Sequence, residues 1–414
     1  MFAFLGGFLT IKVLTGELGP HAYGQLALGV SAAGAVHMFI YGPIEQSALR
    51  FVSVYKERGQ LDVLFAALRT CHGYAAAILG VVIAIVTIVL QFSAGSKWSV
   101  LIFLALTLGL LSGVSSTLSS VQSALRKRSA VALFQASDVW LRLLLSVAGI
   151  IWFGSTANIA LLGFCLATVT TATIQITRTL RSPEIGPHVH FDHASNGMEK
   201  RDAISKLTAY GRPYIAFAAF SWFSIYCDRW LVLAYLDERA VGIYAAIFQI
   251  ASAPIALFFG ITNQFLVPMI FDRAGAATSQ RQIRSSEGLL NAAVAFCFVG
   301  LLGITGIAAL FAGSLVTLVT NAEFSTHAEI LWILCAGIGL NNLGQMLTVK
   351  GLALNQPRKY ILPKFIQLCL LIAGIFALAK PLGLLGIALA HCISGAGYLL
   401  AVVLTNWRIQ HVAN

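Results

Sequence analysis

Twelve runs of apolar residues follow one another along the chain. They lie at about 1–15, 24–44, 71–92, 98–124, 130–153, 158–177, 209–236, 242–271, 288–311, 328–349, 361–379 and 383–406. A helix needs roughly 20 apolar residues to cross the hydrocarbon core of a bilayer, and every run but the first meets that length. Lipid offers no partner to a backbone N–H or C=O, so a continuous apolar run must pair its own backbone and form a helix. The alternating pattern of a membrane β-barrel is missing. Of 414 residues, 58% are hydrophobic and 10% charged, against about a quarter charged in soluble domains. A soluble enzyme, a disordered chain and a single-span receptor with a large soluble domain are excluded. The fold expected is an all-α polytopic membrane protein of about twelve transmembrane helices.

The breaks between runs carry turn chemistry, as at Gly19-Pro20, Gly154-Ser155, Gln356-Pro357 and Lys380-Pro381. They also carry an orientation. At alternate breaks, 21 of the 27 Lys and Arg residues fall in one set, around 50–69, 126–128, 178–212, 273–284, 350–364 and 408. The other set holds 5 (Lys12, Lys97, Arg229, Arg239 and Lys380), and Arg142 lies inside a run. Cytoplasmic loops attract Lys and Arg, so this bias expects both termini in the cytoplasm. The net charge of +11 is then a membrane signal and implies no nucleic acid. The first residues lack a basic segment and a small-residue cleavage site, so no signal peptide is expected. Run 1–15 is short for a full span, so a truncated or misassigned start is an expectation. The seven cysteines sit in or beside apolar runs without a CxxC pair and read as small hydrophobes.

The longest polar stretch, 181–208, separates a six-helix lobe at 1–180 from a second at 209–414 and is expected to be a cytoplasmic linker. An internal echo supports two related lobes. Leu18-Gly-Pro-His-Ala-Tyr-Gly24 aligns with Leu236-Asp-Glu-Arg-Ala-Val-Gly242 at an offset of 218, and at the same offset Gln46 meets Gln264. Two six-helix units with even span number are parallel repeats, for which a substrate site is expected at the repeat interface.

The residues LTGELGPHAYGQLALGV and EQSALRFVSVYKERG resemble the start of polysaccharide transporters of the multidrug/oligosaccharidyl-lipid/polysaccharide exporter superfamily. AYGRPYIAF, DRWLVLAYLDERAVGIYAAIFQIAS and PLGLLGIALAHCISGAGY continue the resemblance into the second half. It implies a MATE-like fold of two pseudo-repeated six-helix bundles. It implies the function of Wzx-type flippases, which move undecaprenyl-pyrophosphate-linked sugar units across the bacterial inner membrane for O-antigen, capsule or exopolysaccharide synthesis. The implied partners are the lipid-linked oligosaccharide, membrane lipids and other polysaccharide-assembly membrane proteins.

Charges inside spans cost several kcal/mol unless paired or hydrated, so they mark candidate sites. Arg142 sits deep in run 130–153, with Asp138 one turn earlier at ion-pair spacing. Two readings stand: a cation facing a hydrated cavity that takes the pyrophosphate or an acidic sugar, and a structural pair. Asp228 and Arg229 fall in the outer half of span seven. Adjacent helical residues point about 100° apart, which speaks against a same-face pair. Arg229 is a cavity candidate or an interfacial anchor. Lys12, Arg50 and Arg212 are further cavity candidates; Lys12 alternatively snorkels, and the two arginines alternatively anchor to the anionic inner leaflet. His37 and His391 are proton acceptors of a coupling cycle or packing histidines. Glu45 pairs with a base or takes a coupling ion. Gln249, Asn263, Gln264, Asn341, Asn342 and Gln345 hold sugar hydroxyls or hydrogen-bond between helices.

His188-Val-His190-Phe-Asp192-His193 has the spacing of a hydrolase metal loop, but a linker of this length cannot hold that α/β fold, and a solvated loop is the expectation. No GxxxxGK[ST] phosphate loop occurs, so ATP hydrolysis is not expected. Neither catalytic site, metal nor cofactor is expected; proton and sodium both stand as coupling ions. Two alternatives are weighed. A drug or cation antiporter of the same superfamily needs unpaired acids in its spans. A membrane sugar polymerase or ligase needs a large periplasmic loop.

Overall fold

A computed structural model describes residues 2–93, 95–182, 197–274, 280–354 and 356–412. Among the described residues the chain is helical, with no strand. The His188–His193 motif and most of the polar stretch before α7 lie outside them. The chain divides into two compact units, Met1–Tyr226 and Cys227–Asn414.

In the first unit α1 (Phe2–Val36) runs through a π-helical segment, His37–Tyr41, into α2 (Gly42–Glu57). α3 (Leu61–Ser93), α4 (Ser96–Ala124), α5 (Arg128–Phe153) and α6 (Ala157–Leu180) follow. α7 (Gly197–Tyr235) spans the division between units. The second unit holds α8 (Glu238–Ala274), α9 (Gln280–Leu310), the short α10 (Ala312–Val319), α11 (Ile330–Leu347), α12 (Val349–Ala353) and α13 (Ile361–Val412).

Nine stretches among the described residues are long and apolar enough to cross a bilayer. Two of these, Phe2–Glu57 and Pro357–Ile409, are each broken by a glycine: Gly19 at φ 67° and Gly383 at φ 59°. Only glycine adopts such angles without strain, and Pro20 and Pro381 deny the neighbouring backbone a helical N–H. Each stretch therefore counts as two spans. With the apolar second half of α7 they make twelve, and the protein is a multi-pass membrane protein. α3 shows the solvent it was built for. Ile78, Val81, Ile85, Ile88 and Phe92 are all more than half exposed, an apolar stripe that water would penalise and acyl chains would not.

The helices run further than the apolar runs. α2 continues to Glu57 and α3 begins at Leu61, so polar residues expected in loops extend the helices. Among the described residues some connections are very short, as at Gly154–Thr156 between α5 and α6.

α4 packs against α1, α2, α3 and α6, and α11 packs against α8, α9 and α13. These hubs are close-packed at glycines. A Cβ on Gly113 of α4 would overlap the Tyr41 ring, which is fully buried. Gly113→Ala is therefore expected to destabilise the protein by about 1–3 kcal/mol, the usual cost of overpacking. Thermal unfolding of the purified protein measures this. A Gly113→Ala, Tyr41→Leu double variant should recover part of the loss; equal losses in both would refute the close contact.

Candidate functional site

α4 brings Ser112, Ser115, Ser116, Ser119, Ser120 and Ser123 onto one helical face, at spacings of three and four. That face lines a cavity of about 320 Å³ inside the first unit, together with Glu45 of α2, Asp138 and Arg142 of α5, and Thr168 of α6. Val131 and Phe134 supply an apolar wall.

The charges in this cavity are held by a defined network. Arg142 Nε lies 2.8 Å from Asp138 Oδ2. Arg142 Nη2 donates to Thr168 Oγ1 at 2.9 Å and to Ser112 Oγ at 3.4 Å. Asp138 Oδ1 accepts from Thr168 and Thr171 at 3.2 and 3.1 Å. Both charged side chains keep about a quarter of their surface open, at 25% and 22%. Across the cavity Glu45 Oε1 accepts from Ser116 and lies 2.7 Å from His37 Nε2, on the π-helical segment. Behind the serine face, a polar ladder ties α4 to α6. Ser115 donates to Gln175, and Gln175 donates to Ser119 and Gln122.

A second polar cluster lies in the second unit, and its centre is nearly inaccessible. Asp228 is 1% exposed and Arg229 6%. Asp228 Oδ2 accepts from Tyr244 Oη at 2.7 Å and lies 3.2 Å from His391 Nε2. Its Oδ1 accepts from the Arg229 backbone N–H at 2.8 Å and from Nη1 at 3.3 Å. The expectation that neighbouring residues cannot pair is thus overturned: the long arginine side chain folds back around the helix, its guanidinium over the Phe248 ring at 5.2 Å. α8 and α13 both reach α7 through this carboxylate.

The other candidates lie elsewhere. Lys12, Arg50 and Arg212 are exposed, and none lines the cavity. Arg142, Asp138, Glu45 and, through Glu45, His37 are brought together. Asp228, Arg229 and His391 form the separate cluster. No group of three or more His, Cys, Asp and Glu able to hold a metal occurs among the described residues.

A family model described as "Polysaccharide biosynthesis protein" matches residues 1–274. The chain belongs to this family. Among solved structures it is similar to an inward-facing multidrug resistance MATE family transporter of the MOP superfamily. That match has 14% identity and a TM-score of 0.71, and covers 99% of this chain and 95% of that one. It is similar to the lipid II flippase MurJ in an inward closed conformation, with 14% identity, a TM-score of 0.69 and coverage of 98% and 86%. An outward-facing MATE transporter also matches, at 14% identity, a TM-score of 0.61 and coverage of 100% and 94%. No curated protein matches the sequence significantly. The fold is MATE-like, and the chain is a multi-pass membrane protein of the polysaccharide biosynthesis family.

Two features of the site went unread in the sequence. The serine face of α4 carries a visible helical period, which a search confined to charges passes over. Tyr244 gave no signal, since a tyrosine near a span end ordinarily reads as an interfacial anchor.

Proposed function

We propose that this protein is a flippase for an undecaprenyl-pyrophosphate-linked oligosaccharide, acting by alternating access in the bacterial inner membrane during surface polysaccharide synthesis. The observation that carries the proposal is the hydroxyl-rich, charged cavity walled by α2, α4, α5 and α6 in a bundle whose outer faces are apolar. Moving an unpaired hydroxyl from water to hydrocarbon costs about 4–8 kcal/mol, so a glycan crosses only where side chains replace its water. The polyprenyl tail needs no such shelter and stays in the bilayer. Family membership supports the reading, and the Lys/Arg bias supports cytoplasmic termini.

The rival cation antiporter is disfavoured by the acids themselves. Glu45 is engaged by His37 and Ser116, Asp138 by Arg142, and Asp228 by Arg229, Tyr244 and His391. Of these three acids only Glu45 keeps an oxygen, Oε2, unpartnered among the described residues, so a cation carrier would rest on that single atom, with the His37 imidazole beside it.

In a bacterial strain lacking its own flippase, expression of this chain is expected to restore surface glycan and clear lipid-linked units from the inner leaflet. Failure across strains with O-antigen, capsule and exopolysaccharide systems, with the protein present in the membrane, would refute the proposal.

A further inference from the structure

We infer that the cavity in the first unit is a subsite for a neutral, hydroxyl-bearing sugar ring, and that the pyrophosphate is not bound there. The inference rests on the flippase reading and names which part of that substrate this site takes.

The charge balance comes first. Glu45 and Asp138 put two carboxylates against the single Arg142 guanidinium on the cavity wall. His37 offsets Glu45 only when protonated, and then the balance is zero. Arg142 is already engaged through Nε and Nη2, by Asp138, Thr168 and Ser112. Nη1 is left open, but an anion-binding site needs an excess of positive charge, and this wall does not supply one.

The groups left over have a different character. Ser112, Ser115, Ser116 and Ser119 are engaged by protein partners. The hydroxyls of Ser120 and Ser123 and the amide of Gln135 have no protein hydrogen bond among the described residues, and all three line the cavity. Glu45 Oε2 also lacks a protein partner there, its bonds being made by Oε1. These free groups mix donors with acceptors. Serine hydroxyls and a carboxamide do both, a carboxylate only accepts, and a guanidinium only donates. A phosphate oxygen only accepts and finds Glu45 opposed to it. A sugar hydroxyl donates to Glu45 and accepts from Ser120, Ser123 or Gln135, so it satisfies the whole set. Val131 and Phe134 give the C–H face of a ring an apolar surface. At about 320 Å³ the space sits at the low end of the roughly 300–1,000 Å³ typical of small-molecule sites, which suits a ring and not a chain.

The test uses the purified full chain in lipid nanodiscs. Saturation-transfer NMR is read on galactose, glucose and N-acetylglucosamine separately, with empty nanodiscs as background. Glucuronic acid and inorganic pyrophosphate serve as charged probes. At least one neutral sugar is expected to give a signal that falls at least fivefold in Ser120→Leu and in Gln135→Leu. Pyrophosphate at 10-fold excess is expected to leave that signal unchanged. Thermal unfolding confirms that the variants are folded, and Ser120→Thr, which keeps the hydroxyl, is expected to retain at least half the signal. No signal from any neutral sugar, displacement by pyrophosphate, a signal from glucuronic acid alone, or full signal in both leucine variants each overturns the inference. Restored surface glycan without a sugar signal sinks the subsite and spares the flippase. A sugar signal without restored glycan does the reverse.

Discussion

Arg142→Ala is expected to abolish restoration of surface glycan while costing only about 1–2 kcal/mol of stability. The two effects separate because the pair is partly hydrated. Breaking a fully buried ion pair costs about 3–5 kcal/mol, since the partner is left as an uncompensated charge. Here Arg142 and Asp138 keep 25% and 22% of their surface exposed, so the stranded carboxylate recovers part of its hydration. It also keeps the Thr168 and Thr171 hydroxyls. Arg142→Ala combined with Asp138→Asn removes both charges, and should return most of the lost stability without returning transport. Thermal unfolding and glycan restoration on the same three proteins decide the point. A single variant that transports normally would take the cavity off the substrate's route. A double variant that regains transport would make the pair purely structural.

The twelve spans were legible because lipid imposes one rule, a self-paired backbone inside about 20 apolar residues. The breaks at Gly19-Pro20 and at Pro381 were legible for a related reason: glycine and proline interrupt a helix by covalent geometry, whatever surrounds them. Helix ends were not legible. The segment 42–57 is polar enough to pass for a loop, and it is helical because it lays one face, Val52 and Tyr55, onto Leu64, Ala67 and Leu207. Tertiary packing decides that, and no local pattern states it.

The candidate site divides along the same line. Arg142 and Asp138 were found together because i,i+4 is a property of the helix alone. Their meeting with Glu45 depends on how α2, α4 and α5 pack, which spacing cannot give. The pairing of Asp228 with Arg229 goes with a side-chain conformation that lays the guanidinium over Phe248, 19 residues further on and on another helix. His391 stood out as an imidazole in a span, but its partner carboxylate lies 163 residues earlier in the chain.

That carboxylate is expected to be the costliest single position in the second unit. Asp228→Ala should lower stability by about 3–5 kcal/mol, the range for removing one partner of a buried charged pair. The case differs from Arg142 in its dryness. At 1% and 6% exposure, neither Asp228 nor Arg229 has water to fall back on. The substitution takes the carboxylate from beside the Arg229 guanidinium and the acceptor from Tyr244 Oη, itself fully buried. Each buried donor left unsatisfied costs roughly 1–3 kcal/mol. Asp228→Asn preserves the shape and one acceptor oxygen, so an intermediate loss is expected. Tyr244→Phe removes a single donor and should cost only about 1 kcal/mol, because Asp228 keeps its other contacts. The decisive comparison is Asp228→Ala against Asp228→Ala with Arg229→Leu, by thermal unfolding in nanodiscs. If the loss of the neutralising carboxylate beside Arg229 is the main cost, the double variant is the more stable of the two, despite carrying two changes. Should it be the less stable, the arginine is held by partners other than Asp228, and the cluster is not the carboxylate-centred unit described above.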